Sequence, residues 1–144
     1  MKRMVTGLIG VLLASVSLAA VRGDGLLLET GEVHVGPSTV YVTVLLTNNT
    51  RSAVVLDAQP IWHQDCGLSM RITGNDMPPR VVPNELAPCG EAREIIQPGT
   101  SLATSRTLVR SEWFPKPGKY TVHVGWKEPG KGVYQHEPIS IVVR

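Results

Sequence analysis

The chain has 144 residues, of which 42% are hydrophobic and 18% charged, with 14 basic against 12 acidic side chains. That length supports one core and one domain without metals or many cross-links. The near-balanced charge, with no Lys/Arg cluster, offers no electrostatic footprint for a phosphate backbone and so excludes nucleic acid as an expected partner.

The first element is an export signal. Lys2 and Arg3 form a basic start, residues 5–18 are apolar or small, and Ser17-Leu18-Ala19 places small residues where a signal peptidase reads. Cleavage is expected after Ala19, leaving a single β-sandwich domain over residues 20–144, secreted or periplasmic. The apolar stretch is shorter than the roughly 20 residues that span a bilayer, so no stable membrane insertion is expected after cleavage. The residues that follow, Ala20, Val21 and Arg22, hold no cysteine for lipidation. Losing Lys2 and Arg3 also leaves basic and acidic side chains equal in number.

Short β-strands then follow one another. Residues 26–28 and 32–35 read as two strands. Val40, Val42, Val44 and Leu46 alternate with Tyr41, Thr43 and Leu45, which is the period of a half-buried strand, and Asn48-Asn49-Thr50-Arg51-Ser52 ends it in a turn. Residues 54–59 form the next strand. Pro60 marks a bulge or sheet edge before Leu68, Met70 and Ile72 alternate with Ser69, Arg71 and Thr73. After a proline-rich segment come strands over residues 100–109 and 119–126, a turn at Glu128-Pro129-Gly130-Lys131-Gly132, and a closing strand with Ile139, Ile141 and Val143 inward. No amphipathic helix is expected. Seven or eight short strands with turns between them favour two packed antiparallel sheets, an all-β immunoglobulin-like sandwich.

Three stretches carry a resemblance: Val42-Thr43-Val44-Leu45-Leu46-Thr47-Asn48-Asn49, Gln97-Pro98-Gly99, and Pro117-Gly118-Lys119-Tyr120-Thr121-Val122. On these the chain resembles bacterial secreted immunoglobulin-like domains, and its strand rhythm is similar to that of proteinase-inhibitor-type and copper-resistance sandwich proteins. The resemblance implies a fold and leaves function open. Tyr120, just after the turn, is expected to pack its ring inside and return its hydroxyl to backbone as a tyrosine corner. Trp126, six residues later on the same face, is expected in the core. In Trp113-Phe114-Pro115 one ring is expected to plug the end of the sandwich and the other to face solvent as a recognition site.

Function is read from four features. Residues 75–88 carry Pro78, Pro79, Pro83 and Pro88 and lie inside the loop that a Cys66–Cys89 bond would close. The segment is expected to be extended and stiff, which lowers the entropy lost on capture. It serves either as a binding loop, with Met77, Pro78, Pro79, Arg80, Val81, Trp113 and Phe114 as contact residues, or as a cover over a sheet edge. In a protease inhibitor Arg80 would be the specificity residue. His34, His63, His123 and His136 are scattered, with Met70, Met77, Asp65 and Glu137 near some of them in sequence. They lack ligand spacing, so no metal site and no cofactor is expected; His63 and His123 are the candidates should the chain be a copper or zinc carrier. His123 is expected to face solvent. His63, Asp65 and Ser69 can be written as a triad, yet strand neighbours do not meet triad geometry and the serines lack a nucleophile elbow, so no enzyme is expected. Arg22-Gly23-Asp24 and Asn48-Asn49-Thr50 match an adhesive tripeptide and a glycan acceptor, the latter expected to be accessible in its turn. The leading expectation is a non-enzymatic module that binds another exported or envelope protein.

Two cysteines in an exported chain are expected to pair. Their wide spacing lacks the C-x-x-C pattern of a redox pair. The bond closes a loop of about two dozen residues, so Cys66→Ser should lower unfolding free energy by about 3 kcal/mol in the chain-entropy model. Urea denaturation of the two proteins checks this, and equal midpoints would mean that the bond contributes nothing to stability.

Overall fold

The computed structural model describes residues 20–21, 25–56, 62–63, 66–84, 89, 93–127, 133–135 and 138–144. The expected signal segment over residues 1–19, Arg22-Gly23-Asp24, Pro60, Asp65, residues 85–88, the expected turn over residues 128–132, His136 and Glu137 lie outside the described residues. In chain order the elements are β1 (Ala20–Val21), β2 (Leu26–Val35), β3 (Thr39–Asn48), β4 (Val54–Leu56), β5 (Gly67–Gly74), β6 (Met77–Val81), β7 (Glu94–Ile96), β8 (Ser101–Val109), α1 (Arg110–Trp113), β9 (Gly118–Lys127), β10 (Val133–Gln135) and β11 (Ile139–Val143).

Two antiparallel sheets carry the fold. One has the order β1-β2-β3-β8; the other runs β10-β9-β5-β6, with β11 also on β9, and β4 and β7 form a separate ribbon. β10 and β11 occupy successive stretches of the same edge of β9, Gln135 opposite Gly125 and Ile139 opposite Val122. They act as one interrupted strand.

The alternation in the sequence is what sorts the two faces. Val40, Val42, Val44 and Leu46 of β3 are buried, as are Leu68, Met70 and Ile72 of β5 and Tyr120, Val122, Val124 and Trp126 of β9. Together with Ile139, Ile141 and Val143 they belong to one continuous apolar core. The architecture is therefore β-sandwich-like, with the expected inward residues inside. Residues 26–28 and 32–35, expected as separate strands, are one strand whose register shifts between Thr30 and Val33. That bulge inserts one residue without breaking the ladder. The one-turn helix α1 is also new, and a backbone bond from Phe114 N–H to the Arg110 carbonyl, 2.8 Å, caps its end.

The expected tyrosine corner is present. The Tyr120 hydroxyl donates to the Lys116 carbonyl at 2.8 Å and accepts from the Lys116 backbone N–H at 3.2 Å. Asn75 Nδ2 also donates to it, at 3.1 Å. The Phe114 ring meets the Tyr120 ring edge-on at 5.1 Å. Tight approach accompanies these bonds: Gly118 has φ +147°, and a Cβ there would stand 2.6 Å from Asn75 Oδ1. Only glycine fits.

Asn48 departs from expectation. It is fully buried, with Nδ2 donating to the Ser52 and Ile96 carbonyls at 2.8 Å each. Its Oδ1 accepts from Thr50 N–H at 2.9 Å and Thr50 Oγ1 at 2.7 Å. All four side-chain hydrogen-bonding positions are filled. The expectation of an accessible glycan acceptor is corrected: the amide nitrogen is a structural tie between the end of β3 and β7. Next to it, Gln97-Pro98-Gly99 turns the chain, with Gly99 at φ +70° and Thr100 N–H bonding the Gln97 carbonyl at 3.1 Å.

Tyr120→Phe keeps the ring and removes the hydroxyl, leaving Lys116 and Asn75 groups short of a partner. A loss of about 1–2 kcal/mol in unfolding free energy is expected. Urea melts of the two proteins measure it, and an unchanged midpoint would remove the corner from the account of stability.

Candidate functional site

The proline-rich segment is not a loop over its first half. β6 pairs with β5, with Ile72 opposite Arg80 and Arg71 opposite Val81, and Asn75-Asp76 form the two-residue turn between them. Asn75 and Asp76 both have positive φ, 54° and 58°, the pairing a tight hairpin turn requires. The segment is extended, as expected, but as an edge strand. Pro78 and Pro79 lack N–H groups, which suits an edge and blocks a further strand from completing the ladder there.

Of the contact residues expected from sequence, the structure brings Arg80 and Trp113 together. The Arg80 guanidinium lies 4.9 Å from the centroid of the Trp113 ring and donates to the Glu112 and Trp113 carbonyls at 2.8 and 2.5 Å. Those carbonyls are the unpaired acceptors at the end of α1, so β6 caps the helix through a charge-assisted contact. Trp113 is half-buried beneath the guanidinium, whereas Phe114 is buried against Tyr120. The expectation for the aromatic pair therefore resolves with Phe114 as the plug, and Phe114 is removed from the surface set. Pro78, Pro79 and Val81 remain exposed, Val81 at 59%.

A second arginine crosses the same side of the sandwich in the other direction. Arg106 of β8 lies 5.8 Å from the Trp62 ring centroid, donates from Nη1 to Asn84 Oδ1 at 3.3 Å, and donates from Nη2 to the Pro83 carbonyl. Trp62 in turn donates its Nε1–H to the Ser105 carbonyl at 2.9 Å. The edges of the two sheets are thus tied by guanidinium groups over indole faces. Sequence reasoning passed over Arg106, although it falls in the inward phase of β8 with Leu102, Thr104 and Leu108. A charged residue in an inward phase is a legible signal of a tie or a site.

The cysteines are bonded, with Cα atoms 5.8 Å apart. His63 packs on that bond, its Nδ1 3.4 Å from Cys66 Sγ and 4.0 Å from Cys89 Sγ. His63 is 6% exposed and Cys66 4%, while Cys89 is exposed. The ligand atoms of these three residues all lie within 4.8 Å of one another. With both sulfurs bonded to each other, the cluster presents only the imidazole as an ordinary metal ligand. His123 stands elsewhere, on β9 opposite Arg71, with Nε2 3.1 Å from Thr73 Oγ1. The structure therefore does not bring the two candidate metal histidines together. His123 is half-buried, where solvent exposure was expected.

Burial, and next to it the Arg71 guanidinium, hold the His123 imidazole below the ordinary histidine value. The unfolded chain then binds a proton that the folded one refuses. Folding stability should be insensitive to this group above the ordinary value of about 6.5, and should fall as pH drops from there to the lowered folded value. Chemical denaturation between pH 8 and 5 is expected to show this slope flattened in His123→Gln. In NMR titrations, Arg71→Gln should move His123 upward; an unmoved titration would remove Arg71 as a cause.

No protein-family model matches the chain, and no curated protein matches it in sequence. Among solved structures it is similar to part of a β-glucosidase from Kluyveromyces marxianus in complex with glucose. That alignment has a TM-score of 0.50 and 11% identity, and covers 85% of this chain but 14% of the other. A protein from Archaeoglobus fulgidus aligns at a TM-score of 0.39 and 16% identity, over 81% of this chain and 98% of that one. At such identities the first likeness is one of fold, compatible with a β-sandwich-like domain. The disulfide fits a non-reducing environment, and among the described residues no helix is long and apolar enough to cross a membrane.

Proposed function

We propose that the chain is an exported, non-enzymatic immunoglobulin-like sandwich that binds another exported or envelope protein through the β6 edge. The fold part of this reading is supported by the order of the two sheets and by a tyrosine corner in the connection from β8 to β9. Export is supported by the basic-then-apolar opening of the sequence and by the disulfide.

One observation carries the binding site: Pro78, Pro79 and Val81 form an exposed apolar ridge on an edge strand. A single exposed valine is ordinary on any protein surface. Here it sits beside two prolines, on a hairpin fixed at its tip by Asn75 and in its middle by Arg80. Such a ridge loses little conformational entropy on capture. Because two consecutive positions lack N–H groups, recognition rests on side chains and not on strand addition. The inhibitor reading has less support, since Arg80 would first have to leave two carbonyls and an indole face. The metal-carrier reading has less as well, because His63 and His123 sit in separate settings.

The test is cross-linking of the mature, disulfide-intact protein in its native envelope or secretome extract, with captured chains identified by mass spectrometry. Val81→Asp and Pro79→Ser, both surface changes expected to alter stability by no more than about 0.5 kcal/mol, serve as comparisons. Capture of at least one partner is expected to drop about tenfold in Val81→Asp, a loss of about 1.4 kcal/mol in binding. Partners captured equally by all three proteins would overturn the edge assignment. A captured protease whose inhibition disappears in Arg80→Ala would replace it with the inhibitor reading.

A further inference from the structure

Neither the packing of the core nor the β6 edge accounts for a buried imidazole directed at a disulfide. We propose that Cys66–Cys89 is an exchangeable bond, reduced by low-molecular-weight thiols through attack on Cys89, with His63 stabilising Cys66 as the leaving thiolate.

The two sulfurs differ in the ways such a reaction needs. Cys89 is an exposed residue, the side from which a nucleophile can approach, while Cys66 is 4% exposed. The imidazole is nearer the buried sulfur, 3.4 against 4.0 Å. A disulfide sulfur carries no hydrogen, so a hydrogen bond in this contact requires the tautomer with the proton on Nδ1, sulfur accepting. A neutral disulfide sulfur accepts weakly. The same sulfur accepts strongly once charge collects on it, so the contact gains strength as the bond breaks, and that difference is what lowers a barrier.

The donor is also held in place. His63 N–H bonds the Leu68 carbonyl at 2.8 Å, and the adjoining Trp62 bridges Leu68 and donates its indole N–H to Ser105. These contacts fix the backbone that carries the imidazole.

The steps balance as follows. A thiolate attacks Cys89 Sγ and forms a mixed disulfide; the Cys66–Cys89 bond breaks and its electron pair goes to Cys66 Sγ, which takes a hydrogen bond from His63 Nδ1–H. A second thiolate attacks the external sulfur of the mixed disulfide and releases Cys89 as a thiolate, which is protonated from solvent. Each external thiol gives up a proton to solvent as it becomes the attacking thiolate, and Cys66 and Cys89 each take one up, so two external thiols are oxidised to one disulfide and the protein disulfide is reduced to two thiols. A leaving thiolate stabilised by an adjacent donor departs faster. The sequence pointed away from this chemistry because the cysteines lack C-x-x-C spacing; here the activating group is a histidine three residues before Cys66.

The experiment treats the folded, oxidised full-length mature protein with glutathione, traps free thiols with N-ethylmaleimide, and locates each adduct by peptide mass spectrometry. Glutathione is expected on Cys89 and maleimide on Cys66, with the opposite arrangement at least about tenfold rarer. The rate should rise linearly with glutathione concentration. His63→Ala should slow it about tenfold, and His63→Gln, which keeps an amide donor, by less. Exposure alone would give the same arrangement of adducts with rates unchanged in both variants, and that result would overturn the role of His63. Glutathione on Cys66, or a rate that saturates at the rate of global unfolding, would overturn the exchange reaction itself. These last two readouts need only the wild-type protein, so they stand even if a variant fails to fold.

Discussion

The Tyr120 hydroxyl is the point at which the entry to β9 is fixed to the β5–β6 hairpin. It bonds both backbone groups of Lys116 and the side chain of Asn75, so it ties the connection between β8 and β9 to the tip of the β5–β6 hairpin. The approach is close enough that Gly74 and Gly118 admit no side chain: a Cβ on Gly74 would stand 2.7 Å from the Lys119 carbonyl. With the tip immobilised, β6 has a defined course along the sheet edge. The position of Arg80 beneath α1 and the display of Val81 to solvent both follow from that course.

Polar ties then close the side of the sandwich where the two sheets end. Arg80 reaches from β6 to α1, Arg106 from β8 to the segment after β6, and Arg110 from α1 to the Gly36 and Arg144 carbonyls. Each guanidinium bonds backbone carbonyls, acceptors that have no ladder partner where a sheet ends. An arginine suits this position because its planar fork can serve two acceptors while its aliphatic stem covers apolar surface.

Legibility in the sequence followed the physics of each element. β3, β5 and β9 were readable because one of their faces is dry and the other more exposed, so buried apolar residues recur at every second position. The tyrosine corner was readable because a Pro-Gly turn immediately precedes a tyrosine. β6 was not, since Met77-Pro78-Pro79-Arg80-Val81 neither alternates nor has strand-like composition; its pairing comes from the Asn75-Asp76 turn and from its neighbour β5. The contact between His63 and the disulfide was hidden for another reason. Cys89 is remote in sequence, and only the closed loop brings its sulfur beside the other two residues. Asn48 misled in the opposite sense, because a tripeptide that signals modification at the surface serves here as an internal brace.

That brace has a consequence for the order of events in synthesis. A glycan acceptor is recognised on an extended nascent chain, before β7 has arrived to offer the Ile96 carbonyl. In a cell that glycosylates such chains, a sugar on Asn48 would occupy a nitrogen whose two hydrogens belong, in the native protein, to Ser52 and Ile96. Modification and folding would compete for one atom, and the chain modified first would be barred from closing that end of the sandwich. The choice of expression host is thereby a structural variable for this protein, and a bacterial host leaves the nitrogen to the fold.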